Sequence, residues 1–256
     1  MEKTNFFEFR SGLDYEQALR YQGMLNEEGY TGLLAFETPE TITLGRAAES
    51  ADELLVSPLF LKERGITLLS TDRGGKATWH GPGQLIAFPI ADLKKIYNDT
   101  RAVKRFTEEL LMGLAHACAT LGVKSVETRS DYPGIWTSRG KLASIGFTVK
   151  DGYVFHGFSI NMTKECLAGF GLINACGVAN CPITSLEQEG VRVESAKDLA
   201  IKILPYLSVI AGSEIIKKSK TMSYESTYAD LVSTVSRSQM AIEHFRTNLE
   251  SLGYRE

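Results

Sequence analysis

Residues 73–84, Arg73-Gly74-Gly75-Lys76-Ala77-Thr78-Trp79-His80-Gly81-Pro82-Gly83-Gln84, connect a run that ends near Thr71 to an apolar run from Leu85 to Ile90. Glycine lets main-chain atoms approach a ligand because no Cβ intervenes, and Gly74-Gly75 can adopt positive φ angles that other residues avoid. An ordinary loop rich in glycine and proline is the alternative on these residues alone. We interpret the stretch as a backbone that comes close to a bound molecule.

The composition is that of a globular, enzyme-sized protein. The chain has 256 residues, of which 43% are hydrophobic, so it can bury a large core in one domain or one domain with a small appendage. Its net charge of -3 gives no reason to expect nucleic acid or an anionic membrane as a partner. Residues 1–8 are too polar for a secretory signal, and no apolar run approaches the roughly 18 residues of a membrane span. We therefore expect a cytoplasmic protein.

Hydrophobic periodicity predicts a mixture of helices and strands. Apolar residues recur every three or four positions from Val103 to Leu121, and Gly122 marks the end of that helix. Asp151-Gly152 is a strong hairpin signal, and Pro89 favours an edge strand or a strand end. Further helices are predicted at 14–28, 58–64 and 196–207, and strands at 32–36, 41–46, 66–70, 85–90, 125–127, 134–137, 142–149 and 153–161.

The composition changes near the C-terminal end of the sequence. Residues 212–238 are richer in Ser, Thr and Lys, and a weaker helix signal runs from Gln239 to Leu252. We predict a catalytic domain at 1–211 and a C-terminal extension at 212–256, which is helical and either packs on the domain or is partly mobile.

Four cysteines offer thiols for chemistry. Cys118, Cys166, Cys176 and Cys181 include no C-x-x-C pair, so a zinc ribbon is not favoured and no metal site is predicted. Cys118 lies on the apolar face of the long predicted helix, which indicates a packing residue. Cys176 lies in Asn174-Ala175-Cys176-Gly177, a break in regularity where a thiol can be presented on a tight turn. A buried packing role is the alternative for Cys176 on these residues alone.

Several charged side chains have both a functional and a structural interpretation. Lys141 follows a turn and opens a strand of small residues, where a solvated lysine is the ordinary case. Arg46, after a strand and a glycine, either faces a site or is solvated. One predicted basic face is either solvated or docks an acidic partner, and it consists of Lys94, Lys95, Arg101, Lys104 and Arg105.

Four blocks of sequence, taken in order, carry a resemblance to a known family. They are Arg73 to Gln84, Gly140 to Gly146, His156 to Asn161, and Ala175-Cys176-Gly177 followed by Thr184-Ser185-Leu186. This chain resembles the lipoyl(octanoyl) transferase family, the octanoyl-carrier-protein:protein octanoyltransferases of lipoate biosynthesis. The resemblance covers roughly residues 5 to 210. The sequence departs from the family at Trp79, where tyrosine is commoner, and in the segment Val178 to Pro182 with its extra Cys181.

The resemblance implies an α/β (α+β) fold, with a mixed β-sheet flanked by helices, shared with biotin and lipoate protein ligases. It also implies that Cys176 takes the acyl group as a thioester and that Lys141 lowers the pKa of this thiol. An unperturbed thiol titrates near 8.5, and a neighbouring ammonium favours the thiolate. The other positions implied to bind substrate are Arg73, Gly74, Gly75, Lys76, Ala77, Thr78, Trp79, His80, Ser144, Ile145, Gly146, Gly157, Phe158 and Ser159.

The implied reaction needs no cofactor, because thioester exchange is nearly neutral in free energy and thioester to amide is downhill. The implied donor is octanoyl-acyl-carrier protein, and the acceptors are lipoyl domains of 2-oxoacid dehydrogenases and the glycine cleavage H protein. Backbone N–H groups near Gly177 or in the Gly74-Gly75 loop are candidate oxyanion donors. His80 would orient the dyad or line an acyl tunnel, and His156 is expected to be a structural or pocket-wall residue.

Three alternatives stay open from the sequence. An ATP-dependent lipoate or biotin ligase has a similar glycine-rich loop, but it needs no cysteine nucleophile, so Cys176 argues against it. An enzyme that moves octanoyl groups between lipoyl carriers would use the same cysteine chemistry. A non-catalytic acyl-binding or docking protein would keep the pocket and lack the reaction.

Overall fold

The computed structural model describes residues 5–48, 53–129, 131–177 and 180–210, so the predicted linker at 212–238 and helix at 239–252 lie outside the described residues. Five α-helices are described: α1 Tyr15–Glu27, α2 Pro58–Glu63, α3 Leu93–Tyr97, α4 Val103–Thr120 and α5 Ala196–Ile203. The strands are β1 Asn5–Arg10, β2 Thr31–Phe36, β3 Thr41–Leu44, β4 Thr67–Ser70, β5 Ala77–His80, β6 Gln84–Ile90, β7 Glu127–Thr128, β8 Gly134–Thr137, β9 Gly140–Lys150 and β10 Tyr153–Asn161. Turns of 3-10 helix span Glu165–Leu172, Ala175–Gly177 and Leu204–Tyr206.

A large mixed sheet forms the centre of the protein. Its seven strands lie in the order β1-β2-β6-β10-β9-β8-β7, with β1 and β2 parallel and the other neighbours antiparallel. A second, three-stranded sheet has the order β4-β3-β5. The mixed sheet with flanking helices confirms the predicted fold class.

Strand β6 is buried on both faces, which explains why its sequence is continuously apolar. Leu85 and Ala87 belong to the same core as helix α4, whereas Ile86 and Phe88 belong to the core packed by helix α1. Successive side chains of a strand point to opposite faces, so α4 and α1 cover the two faces of the large sheet. The stretch 73–84 therefore supplies β5 to the small sheet and leads directly into the centre of the large one.

The structure corrects one alternative for Pro89. Strand β6 is a central strand, between β2 and β10, so Pro89 is not at a sheet edge. It is the penultimate residue of β6, opposite Leu33, which agrees with the other alternative of a strand end. Its carbonyl accepts a hydrogen bond from Gln22 Nε2 at 2.8 Å. Gln22 interrupts the apolar face of α1 in the sequence, and this buried bond satisfies it.

The two long helices confirm their predictions. Asp14 caps α1, because its side chain accepts from the backbone N–H of Glu16. Helix α4 ends at Thr120, two residues before Gly122, and Cys118 is buried in its apolar face. Within the described ranges, no helix is long and apolar enough to span a lipid bilayer.

Local differences from the predicted elements have simple causes. The strand predicted at 125–127 is Glu127–Thr128, since Ser125 adopts a left-handed φ of 55°. The strand predicted from Leu142 begins at Gly140, so Lys141 is part of β9. The helix predicted at 196–207 ends at Ile203 and continues as a 3-10 turn at Leu204–Tyr206, where Pro205 has no backbone N–H to donate.

Candidate active site

The side chains of Lys141 and Cys176 meet, although they are 35 residues apart. Lys141 Nζ lies 3.1 Å from Cys176 Sγ. Lys141 is 6% exposed, and its ammonium also lies 5.5 Å from the centre of the Trp136 ring. The structure thus brings together the two residues that the sequence predicts to be catalytic.

Backbone hydrogen bonds hold Lys141 against the segment that follows Cys176. The N–H of Lys141 donates to the carbonyl of Pro182 at 2.8 Å, and the N–H of Thr184 donates to the carbonyl of Lys141 at 3.0 Å. Gly134, on the adjacent strand, leaves the space that the Lys141 side chain crosses, because a Cβ there would contact Lys141 Cε. The side chain is therefore fixed at both its base and its stem.

Cys176 is presented by a strained turn. It has φ 60° and ψ 10°, a left-handed conformation that non-glycine residues seldom adopt. The turn is anchored by the carbonyl of buried Glu53, which accepts from the N–H of Asn174 at 2.9 Å. Oxygens of the Glu53 carboxylate lie 3.1 Å from Lys76 Nζ and 3.2 Å from the Ala77 nitrogen. Glu53 thereby ties the turn that carries Cys176 to the glycine-rich loop.

The environment of Cys176 favours its thiolate. The pKa of Cys176 is lowered to about 6 because Cys181 hydrogen-bonds to its sulfur and because the Lys141 ammonium and, more weakly, the Arg73 guanidinium attract the negative charge. Burial acts in the opposite direction. Two other cysteines show what burial does alone, since it raises the pKa of Cys118 to about 12 and dominates the similar rise at Cys166. Of these three thiols, only Cys176 has a lowered pKa that favours the thiolate at neutral pH.

Cys176 and Lys141 line a cavity of about 290 Å³. This volume is near the lower end of the range of small-ligand sites. All but one of the residues predicted to form the site line it: Arg73, Gly74, Gly75, Lys76, Ala77, Thr78, His80, Lys141, Ser144, Ile145, Gly146, Gly157, Phe158, Ser159 and Cys176.

Trp79 is the exception, and the structure places it outside the cavity. Its ring packs against Phe170 at 5.9 Å between ring centres, in the core under the small sheet. It alternates along β5 with Thr78 and His80, which do line the cavity. Because neighbouring side chains of a strand face opposite ways, the departure from the family at Trp79 falls in this core and not on the cavity wall.

Arg73 lines the cavity, but its guanidinium is committed to shaping the loop. It donates to Thr43 Oγ1 and to the carbonyls of Thr43, Gly74 and Lys76 at 2.7–3.0 Å. Gly75 has a left-handed φ of 83°, as the sequence predicted for one of the paired glycines. The loop is thus held open by hydrogen bonds from its own first residue.

Two predicted oxyanion donors are already occupied. The N–H of Gly177 donates to the carbonyl of Asn174 at 2.9 Å, and the N–H of Gly74 donates to Phe147 O at 3.0 Å. These two N–H groups are therefore engaged within the protein in this conformation, and other N–H groups near Gly177 and in the Gly74-Gly75 loop stay the predicted donors.

The two candidate histidines have different places. His80 is buried in the cavity wall, where its Nδ1 donates to Gln84 Oε1 at 2.8 Å and its ring stacks on Tyr15. Burial lowers the pKa of His80 to about 3, so the imidazole is neutral. The imidazole hydrogen bond goes to Gln84 and not to Lys141 or Cys176, which agrees with the predicted role in lining an acyl tunnel.

His156 is a structural residue beneath the cavity wall. Its Nε2 donates to Asp72 Oδ1 at 2.8 Å, and its Nδ1 accepts from the Tyr15 hydroxyl at 3.0 Å. Burial lowers the pKa of His156 despite the opposing effect of Asp72, so a neutral ring is favoured. The His156 bonds connect α1, β10 and the residue that precedes the glycine-rich loop.

Sequence reasoning missed ten of the residues that line the cavity. These are Tyr15, Ala47, Ile86, Phe88, Asp131, Tyr132, Pro133, Phe170, Ala175 and Ile183. Ile86 and Phe88 could have been found, because they alternate on a strand that starts at the end of the glycine-rich stretch. Arg46 is exposed and does not line the cavity. Within the basic face, the exposed side chains of Lys104 and Arg105 pair with Glu108 and Glu109.

Comparison with known proteins identifies the family. The profile of the lipoyl protein ligase A/B catalytic domain matches residues 11–205. An octanoyltransferase of Geobacter metallireducens is 40% identical over 179 residues, which cover 68% of this chain and 78% of that protein. This chain belongs to the octanoyltransferase family. A second member, from Geobacter sp. (strain M21), is 37% identical over 203 residues, covering 76% of this chain and 93% of that protein.

Solved structures show the same fold in more distant proteins. A putative lipoate protein ligase from T. acidophilum with bound lipoic acid matches with a TM-score of 0.60, at 13% identity, over 81% of this chain and 85% of that chain. A lipoate-protein ligase A bound with ATP matches with a TM-score of 0.51, at 12% identity, over 94% of this chain and 86% of that chain. At these identities the likeness concerns the fold alone, and it confirms the fold predicted for the octanoyltransferase family.

Proposed function

We propose that this protein transfers an octanoyl group from octanoyl-acyl-carrier protein to a lysine of a lipoyl domain, through a thioester on Cys176. The observation that carries the proposal is the 3.1 Å contact between Lys141 Nζ and Cys176 Sγ at the wall of a cavity, in a chain of the octanoyltransferase family. The proposal includes the cytoplasmic location predicted from the sequence, where lipoyl domains of 2-oxoacid dehydrogenases and the glycine cleavage H protein would be acceptors.

In the first half-reaction, the Cys176 thiolate attacks the donor thioester carbonyl. A sulfur–carbon bond forms at Cys176, and the bond to the carrier's thiol breaks. The carrier leaves as a thiolate, and the Lys141 ammonium, 3.1 Å from the attacking sulfur, is placed to give it a proton. One thioester replaces another, so this step needs no ATP.

In the second half-reaction, the amine of the target lysine attacks acyl-Cys176. Lys141, now neutral, accepts the proton that the amine loses as the amide forms. Cys176 leaves as a thiolate beside the restored ammonium, and the starting pair is regenerated. One lysine therefore serves as acid in the first half and as base in the second.

The cavity gives the acyl chain an apolar place next to this pair. Ile86, Phe88, Phe158 and Phe170 supply apolar side chains, and Gly146 and Gly157 supply bare backbone. A Cβ at Gly157 would overlap the carbonyl of Ala87 on the neighbouring strand, so this position admits no side chain. A wall of this kind suits a saturated chain, since it can be desolvated without leaving a charge unpaired.

Intact-mass analysis of the purified protein tests the proposal directly. After incubation with octanoyl-acyl-carrier protein and no ATP, the wild type should gain one octanoyl group, and addition of a lipoyl domain should move that group to the domain. Cys176→Ala should gain none, because no other thiol has a lowered pKa beside an ammonium. Cys118→Ala is the matched control and should be acylated like the wild type, since Cys118 is a buried residue of helix α4.

Other results would replace the proposal with a named alternative. Modification of the lipoyl domain only with octanoate and ATP would indicate a ligase. Acylation of Cys176 only from an octanoylated lipoyl protein would indicate transfer between lipoyl carriers. Octanoate binding without acylation from any donor would indicate an acyl-binding protein.

A further inference from the structure

The floor of the cavity is made of two rows of residues that run across the large sheet. The first row consists of Ser144, Ser159 and Ile86, and the second row consists of Gly146, Gly157 and Phe88. A strand rises about 3.3 Å per residue, so two rows that are two residues apart are separated by about 7 Å. Lys141 precedes the first row on β9, so the first row is the one nearer to the Lys141–Cys176 pair.

The mouth of the cavity lies on the side of Lys141. Residues 131–133 line the cavity and are exposed. They directly precede Gly134, which lies against the Lys141 side chain, because a Cβ at Gly134 would contact Lys141 Cε. A thioester therefore enters from solvent next to Lys141 and Cys176, and its acyl chain extends inward over the two rows.

Helix α1 covers the sheet beyond the second row. Gln22 Nε2 donates to the carbonyl of His156 at 3.0 Å. Further along the helix, Asn26 Nδ2 donates to the carbonyl of Val154 at 2.9 Å, so α1 is docked on the part of β10 that precedes the second row. Within α1, all of which the structure describes, only Tyr15 lines the cavity, and it is the first residue of the helix. The cavity therefore ends where α1 begins.

The ring of Tyr15 forms the end wall of the cavity and is held by three contacts. It stacks on the His80 ring at 5.3 Å between ring centres, and it meets the Phe88 ring edge-on at 5.4 Å. Its hydroxyl donates to His156 Nδ1 at 3.0 Å, and Tyr15 is 2% exposed. Rotation of the ring would leave a buried histidine nitrogen without its hydrogen bond, so the ring is held in place.

We propose that Tyr15 determines the length of the acyl chain that the protein accepts. The inference rests on the proposed function in placing the carbonyl end of the chain at Cys176. The chain then passes over the bare backbone of Gly146 and Gly157 and meets the Tyr15 ring. A longer chain would overlap with the ring, and a shorter one would leave part of the apolar wall without contacts.

The matched variants are Tyr15→Phe, Tyr15→Leu and Tyr15→Ala. Phenylalanine keeps the ring and loses only the hydroxyl, leucine fills part of the space, and alanine opens it. Tyr21→Leu is the control, because Tyr21 is a buried tyrosine of the same helix and does not line the cavity. Thermal unfolding of each variant checks that the fold is retained.

Acylation of Cys176 in single turnovers, followed by intact mass, compares octanoyl-acyl-carrier protein with decanoyl-acyl-carrier protein. The wild type should react at least about tenfold faster with the octanoyl donor, since one methylene in a fitted apolar pocket changes the rate about 10–200-fold. In Tyr15→Leu and Tyr15→Ala the two rates should lie within about threefold of each other, because the end wall is gone. Tyr15→Phe and Tyr21→Leu should keep the ratio of the wild type. A general loss of activity cancels in this ratio.

Binding of the free acids repeats the comparison without a transfer step. In isothermal titration calorimetry, the wild type should bind octanoate at least about tenfold more tightly than decanoate. Tyr15→Ala should bind decanoate at least as tightly as octanoate, since each further methylene then gains apolar contact.

Three results would overturn the inference. The first is a wild type that accepts and binds both chain lengths equally, or binds neither acid. The second is a folded Tyr15→Leu or Tyr15→Ala protein with the selectivity of the wild type, and the third is an equal change in Tyr21→Leu. A protein that binds the acids with the expected selectivity but takes no acyl group from any carrier would retain the role of Tyr15 and remove the transfer reaction.

Discussion

Arg73 and Lys141 are buried cations on two walls of the same cavity, and both are 6% exposed. The guanidinium of Arg73 donates to a hydroxyl and three carbonyls of its own neighbourhood, whereas the ammonium of Lys141 points at a thiol. The two cationic side chains are therefore equally buried, and they differ in the chemical group that accepts their hydrogen bonds. A cation that donates to backbone carbonyls stabilises the local fold of the cavity wall. A cation that contacts an ionisable group changes the pKa of that group.

Loss of the Lys141 charge should have the largest effect. In Lys141→Met, octanoyl transfer should fall about a thousandfold, because the proton donor, the proton acceptor and the attraction for the Cys176 thiolate all disappear. The midpoint of Cys176 alkylation should move up in pH in the same protein. Steady-state transfer rates and alkylation profiles measure the two effects, with exposed Lys62→Met as the control. An unchanged alkylation midpoint would show that Lys141 does not lower the pKa of Cys176 and that, like Arg73, it only supports the cavity wall.

Loss of Arg73 should act through the fold. Arg73→Met removes the donors to Thr43 and Gly74 and one of the two donors to Lys76 O, which keeps the Gly45 N–H, and a buried carbonyl without a partner costs about 1–3 kcal/mol. We expect the free energy of unfolding to fall by about 3 kcal/mol, measured by urea denaturation. Exposed Arg46→Met, in the adjoining loop, should change it by less than about 0.5 kcal/mol. A stable Arg73→Met protein whose Cys176 alkylation profile moves strongly in pH would contradict this prediction, because Arg73 would then act on the thiol and not on the fold.

A smaller effect on the free energy of unfolding is expected from His80, a neutral histidine in the cavity wall. Its pKa is about 3 in the folded protein because of burial, and it is near 6.5 in an unfolded chain. The unfolded chain therefore binds more protons between these values, and the free energy of unfolding decreases as pH falls through that window. From pH 7.5 to pH 5, His80 should account for about 2 kcal/mol of lost stability.

The difference between wild type and His80→Gln in denaturation at the two pH values measures this contribution. His116→Gln is the matched control, since His116 is exposed on helix α4. Equal acid sensitivity in wild type and His80→Gln would show that His80 does not resist protonation in the folded protein.

The sequence predicted elements well where one repeating pattern decides the structure. Helix α4 was predictable because its apolar residues recur at helical spacing, and the β9–β10 hairpin because Asp-Gly favours a tight turn, where Asp151 and Gly152 do adopt positive φ. Pro89 was partly misjudged, since no local pattern reveals that Gln22, from another element, satisfies the backbone around it. Periodicity describes one element, whereas sheet order depends on all of them.

In the candidate site, too, some features could be predicted from the sequence and others depend on contacts between different elements. Blocks of family sequence pointed to Cys176 and Lys141, and the cavity contains nearly every residue named with them. The inward hydrogen bonds of Arg73 were not predictable, because they depend on the approach of Thr43, 30 residues away in the chain. Trp79 was misplaced because no strand was predicted at 77–80, so the alternation of its side chain with Thr78 and His80 was not visible in the sequence.

The left-handed backbone of Cys176 has a consequence for the evolution of this protein. A non-glycine residue in this conformation costs about 1 kcal/mol or more, so the turn would be more stable with glycine at the position. Selection for folding alone would then remove the sulfur. Under the proposed function, cysteine at this position gives up that stability to present a reactive sulfur on a fixed turn.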